Sequence, residues 1–139
     1  MNRTHLQQLS GARIEDARAL LAANQWSGAY YLAGYALECA LKSCVLAYIE
    51  QTGIIFEEKQ YAQKCWTHDI EVLVGQAGLA GERDKAINAN LKFGRHWVTV
   101  KDWSESSRYR LSTQSQAEKL FEALTDNTDE VLPWVKKFW

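Results

Sequence analysis

An all-α fold is predicted: an antiparallel up-and-down bundle of four to five helices, forming one domain over residues 1–139. Three observations carry that expectation. Apolar residues recur at intervals of three and four along nearly the whole chain, the period of a helix with one buried face. The chain has a single proline, a residue that costs about 3 kcal/mol inside a helix. Its 139 residues are 47% hydrophobic and 24% charged, enough for one real core but too few for two comfortable ones. No repeat, low-complexity tract or linker divides the sequence.

Each element has its own signal. Thr4 and Gln7 have the spacing of a capping box, which would open the first helix. Leu6, Leu9, Arg13, Ala17 and Leu21 then recur at helical spacing, and the helix is expected to stop near Asn24. Ser27 reads as the N-cap of a second helix that runs to about Glu50. Residues 51–66, with scattered aromatics at Phe56, Tyr61 and Trp66, read as a long, partly ordered connection. Thr67 is expected to cap a third helix, with Asp69 and Glu71 in its first turn, where the macrodipole favours negative charge. Ile70, Leu73, Val74 and Ala77 give that helix its apolar face, and Gly78 its stop.

After Gly81 the pattern resumes, with Ile87, Leu91 and Val98 on one side and Phe93 and Trp97 next to it. The segment DWSESSRYRLST breaks the rhythm and is expected to be a loop. Thr113 and Gln116 make a second capping box. From Ala117 through Leu120, Leu124, Thr128, Val131, Val135 and Phe138 a single rhythm continues across Pro133. It predicts one long last helix, kinked at the proline.

Composition also bounds function. A net charge of −1 argues against non-specific nucleic-acid binding, which draws on phosphate neutralisation, while leaving room for a local basic pocket. Three cysteines, an odd count without framework spacing, suggest reduced thiols in a cytosol-like compartment. The polar residues after Met1 do not read as a signal peptide. No unbroken apolar run approaches the roughly 20 residues of a membrane span. A soluble cytoplasmic protein with no membrane segment is therefore expected. Cys65 and His68 have a zinc-like C-x-x-H spacing, but a structural zinc site wants four ligands, and Cys39 and Cys44 are poorly spaced to supply two. No metal and no other cofactor is expected.

The most distinctive stretch is YYLAGYALECALKSC, Tyr30 to Cys44. At about 100° per residue, Tyr30, Ala33, Leu37, Ala40, Leu41 and Cys44 share an apolar face. Tyr31, Tyr35, Glu38 and Lys42 fall together on another. Glu38 stands four residues before Lys42, which suits an exposed intrahelical pair worth about 0.2–0.5 kcal/mol. The other reading is a subunit or ligand surface, where tyrosine is enriched and Gly34 would let another backbone approach. Arg108, Tyr109 and Arg110 are similarly open to two readings. They form a phosphate-binding or base-stacking element before a helix N-terminus, or Arg108 anchors the loop to a helix carboxylate, Glu38 being the candidate. His68 is either a structural hydrogen-bonding group or a general base. Arg95 and His96, adjacent on a helix, point to different sides and are given no joint role.

YYLAGYALECALK, followed in order by WTHDI, by the loop SRYR and by a final helix ending in PWVKKFW, resembles the HEPN family (higher eukaryotes and prokaryotes nucleotide-binding). The resemblance spans Arg13 to about Lys137. It implies a four- or five-helix up-and-down bundle, usually a homodimer, in toxin or defence proteins often encoded beside a minimal nucleotidyltransferase. Several members are metal-independent ribonucleases carrying an arginine followed four to six residues later by a histidine. This chain departs from that signature: the positions after Arg108 hold Thr113, Gln114 and Ser115, and those after Arg110 hold Ser115, Gln116 and Ala117. The expectation is a homodimer that binds nucleotide or RNA, one component of a toxin–antitoxin or defence module with a nucleotidyltransferase-like partner. Glu38, Lys42, Arg108, Tyr109 and Arg110 would line its polar pocket. The alternatives are a ribonuclease with an altered catalytic set and a non-catalytic structural adaptor.

Overall fold

The computed structural model describes residues 1–125 and 129–139. Among them every regular element is helical, with no strand. The elements are α1 (Arg3–Ala22), α2 (Trp26–Thr52), α3 (Tyr61–Lys64), α4 (Ile70–Gln76), α5 (Ala80–Ala89), α6 (Leu91–Lys101), α7 (Gln114–Leu124) and α8 (Val131–Val135). Short 3₁₀ turns lie at Ile54–Phe56 and Glu105–Tyr109.

A connection of three residues joins α1 to α2, which makes them antiparallel neighbours. The cross-helix bonds have the register this requires. Ser10 Oγ donates to the Ala36 carbonyl, Gln7 Nε2 to Ser43 Oγ, and Arg3 to Glu50. As one partner's number falls, the other's rises. Helix α2 is the centre of the molecule, packed by α1, α4, α7 and α8. Its alanines (Ala29, Ala33, Ala36, Ala40) are buried together with Leu37, Leu41 and Cys44, small residues letting neighbours close in around it. By length and mean hydropathy alone α2 meets the requirement for a membrane span despite Glu38 and Lys42, yet 67% of its most apolar window is buried within the protein.

The helix ends differ from several sequence expectations, each for a local reason. Asn2, not Thr4, caps α1: its side chain accepts from the His5 N–H. Ser27 lies inside the first turn of α2, and its hydroxyl instead accepts from the Ser112 N–H at 2.8 Å, pinning the loop before α7. The connection at 51–66 contains α3, whose Tyr61 is buried and donates its hydroxyl to the Gln76 carbonyl. Asp69 is the N-cap of α4, accepting from Val72 N–H, while Thr67 supports Asp69 from the preceding turn. Gly78 follows the end of α4 with φ 69° beneath the Tyr48 ring, a place where a side chain would be both strained and obstructed.

The helix expected after Gly81 is two helices, because Asn90 caps a new start by accepting from the Lys92 and Phe93 N–H groups. The restart changes the rotational phase. Phe93, Trp97 and Val100 face the core, while Leu91 and Val98 are 80% and 55% exposed. The last helix is also two. The Thr113–Gln116 capping box forms at the start of α7, but Thr125 is extended and the chain becomes helical again at Val131. Pro133 therefore lies in the first turn of α8, where the missing N–H costs no bond. Thr128, part of the expected continuous rhythm, lies outside the described residues.

Candidate functional site

Tyr31, Tyr35, Glu38 and Lys42 share a face of α2, and the loop after α6 folds back onto it. Gly34 is the reason the loop fits. The Trp103 indole lies directly on this glycine, so the opening expected to admit another backbone admits a side chain instead. Trp103 is buried. Tyr31 stacks on it (centroids 6.1 Å apart, planes 26° apart) and also on Tyr35 (6.2 Å, 9°). A ladder of three aromatic rings thus joins α2 to the start of the loop.

Glu38 is not the exposed half of a weak surface pair. It is only 2% exposed, and its Oε1 accepts from Lys42 Nζ at 2.8 Å and meets His68 Nδ1 at 2.9 Å. His68 Nε2 is in turn 3.1 Å from Glu105 Oε2. The second Glu38 oxygen and the Trp103 Nε1, both buried, have no hydrogen-bond partner among the described residues. Burial pushes the neighbouring Cys39 thiol up to about 11, with Glu38 adding to the effect, and burial likewise raises the Tyr35 phenol. Neither is a nucleophile poised near neutral pH.

The loop is thus anchored to Glu38, but not by Arg108. The anchor runs through His68 to Glu105. Arg108 is exposed, with its guanidinium 5.0 Å from the Tyr109 ring centroid. Tyr109, then Tyr31 and Glu105, hold its pKa above the ordinary value. Tyr109 does not pack on the bundle either: it is 79% exposed. Arg110 belongs to a separate cleft on the same loop, lined by Tyr30, Asp102, Ser107, Ser112 and Gln116. The predicted residues therefore separate into three groups. Lys42 is engaged by Glu38, Arg108 and Tyr109 form an exposed pair beside Tyr31, and Arg110 lines its own cleft.

His68 was visible in the sequence within WTHDI, but its carboxylate partners were not, because they lie 30 residues before it and 37 after. Trp103 was missed altogether. The only sign of it was a glycine in the middle of a long apolar helix, where glycine costs about 0.5–1 kcal/mol relative to alanine unless something needs the space. Cys65 and His68 do not converge: the Cys65 sulfur takes the Gln76 amide while His68 faces Glu38 and Glu105. Among the described residues no group of three or more His, Cys, Asp or Glu is placed to hold a metal ion. Compared with known family models, curated proteins and solved structures, the chain matches none.

Proposed function

We propose that this chain is a HEPN-type up-and-down helical bundle that binds nucleotide or RNA and works as a homodimer. Its setting would be a toxin–antitoxin or defence module with a nucleotidyltransferase-like partner. The observation that carries the binding reading is the exposed Arg108–Tyr109 pair beside the Tyr31–Tyr35 stack. A cation held over an aromatic face, next to further rings, offers a base a stacking surface and a phosphate a partner without requiring a particular sequence. The family reading draws support from a convergence: a hydrogen bond from Glu38 to His68 and an ion-pair contact from His68 to Glu105 join the α2 motif, WTHDI and the loop leading into SRYR.

Fluorescence-anisotropy titration with a short single-stranded RNA and with mononucleotides tests the binding reading. Each stacked base is worth about 1–3 kcal/mol, so Tyr109→Ala and Arg108→Ala should each weaken binding by about tenfold or more. Equal affinity of both variants and the native chain would place the ligand elsewhere.

One observation favours the ribonuclease alternative. His68 touches Glu105, on the same short turn as Arg108, so an imidazole reaches the arginine's loop from another part of the sequence. RNA cleavage that persists in a chelator and is lost in both His68→Ala and Arg108→Ala would favour catalysis over binding alone; cleavage unaffected by either change would remove this reading.

A further inference from the structure

The cleft around Arg110 has the makings of a ligand site separate from the Arg108–Tyr109 face. It encloses about 250 Å³ between α2, the end of α6 and the start of α7. Ser107 lines it and is only 3% exposed, yet its hydroxyl has no hydrogen-bond partner among the described residues. A buried hydroxyl left this way is destabilising unless something fills its need. Arg110 is oriented by a bond from Nη2 to Ser106 Oγ at 2.9 Å, which leaves most of its five donors for other use. Tyr30, half-buried, brings a phenol that feels both Asp102 and Arg110. Ser112 and Gln116 flank the Thr113 cap, so the positive end of α7, an eleven-residue helix, adjoins the cleft.

These donors select an anion with several acceptor oxygens. The guanidinium, two hydroxyls and a helix N-terminus suit the three oxygens of a phosphomonoester better than a carboxylate's two. Asp102 in the same cleft would repel a bare anion, but it accepts hydrogen bonds from sugar hydroxyls. The volume lies below the roughly 300–1,000 Å³ of sites that enclose a whole small molecule, so only the end of a ligand enters. Leu111, 94% exposed at the rim, and Tyr109, two residues before it and 79% exposed, offer apolar surface outside.

We infer that the Arg110–Ser107–Tyr30 cleft holds the phosphorylated terminal ribose of a nucleotide or RNA strand. This rests on the nucleotide-binding reading above and gives it polarity: the chain end is gripped in the cleft while neighbouring bases lie over the Arg108–Tyr109 face. The test uses one short RNA in three forms, with a 5′-phosphate, with a 3′-phosphate and with neither, titrated by anisotropy at fixed ionic strength. One phosphorylated form should bind about tenfold tighter or more than the unphosphorylated strand, and which form does so identifies the end that is held. Ser107→Ala and Arg110→Ala, each confirmed folded by circular dichroism, should abolish that preference. Equal binding of all three forms overturns the cleft assignment while leaving the nucleic-acid reading intact, as does a preference that survives both substitutions. If none of the three RNAs binds, the nucleic-acid reading falls and the cleft assignment falls with it.

Discussion

Gly34→Ala provides a stringent test of how the loop is seated on α2. Inside a helix this change ordinarily gains about 0.5–1 kcal/mol, since glycine loses more backbone freedom on folding. Here a Cβ would stand less than 3.0 Å from three atoms of the Trp103 indole, a separation real Cβ atoms essentially never show. Trp103 is 3% exposed and stacked against Tyr31, so the ring has to be displaced from a packed position. Overpacking typically costs about 1–3 kcal/mol, and complete loss of the tryptophan's burial would set a ceiling of about 3–5 kcal/mol. With the helix gain subtracted, the net expectation for Gly34→Ala is a destabilisation of up to about 2.5 kcal/mol. In a Trp103→Ala background the obstruction is gone and only the helix term remains, so the same change should stabilise by about 0.5–1 kcal/mol. Urea unfolding followed by far-UV circular dichroism, completed as a double-mutant cycle, measures both numbers. A change of the same sign and size in the two backgrounds would refute the contact.

Two further predictions concern helix ends and buried thiols. Thr113→Ala should cost about 1 kcal/mol, because Thr113 caps α7 by accepting from Gln116 N–H, whereas Thr4→Ala, at the capping box that does not form, should cost less than about 0.5 kcal/mol; equal losses in urea unfolding would contradict the assigned starts. Cys39 rises from 9.0 to about 11 on folding, so the folded state holds its proton after the unfolded chain has released it. Its contribution is complete below pH 9 and is lost as pH rises towards 11, at up to about 1.4 kcal/mol per pH unit. Cys39→Ala should flatten the fall of Tm across that window relative to the native chain, and parallel curves would show that Cys39 takes no part in it.

The helical class was legible because apolar spacing is a local property that survives without knowledge of neighbours. The same spacing placed Tyr31, Tyr35, Glu38 and Lys42 on one face of α2. What it did not convey was the depth of that face. A Glu–Lys pair at i, i+4 looks alike whether solvent or a loop covers it, and here Trp103 and His68 cover it from more than 25 residues away. Breaks in long apolar stretches failed for a related reason. Leu91 and Val98 continue a plausible stripe in the sequence, but Asn90 restarts the helix and turns them outward. Pro133 attracted the expected kink, although a proline marks a helix start as readily as an interruption.

The buried Glu38 ties these observations together. Desolvating a carboxylate is costly, and an apolar side chain of similar size is often as stable or more so. The charge therefore needs a reason beyond stability. Its partners supply one: Lys42 comes from its own helix, but His68 comes from the segment before α4 and carries the connection on to Glu105. The turn that Glu105 opens also presents Arg108 and Tyr109 to solvent, and the loop places Arg110 and Ser107 in the cleft on its other side. An apolar residue at position 38 would fill the same space without specifying where that turn sits. The carboxylate's desolvation is offset by the directional bonds that position the loop, and that loop carries every exposed cation assigned to the site.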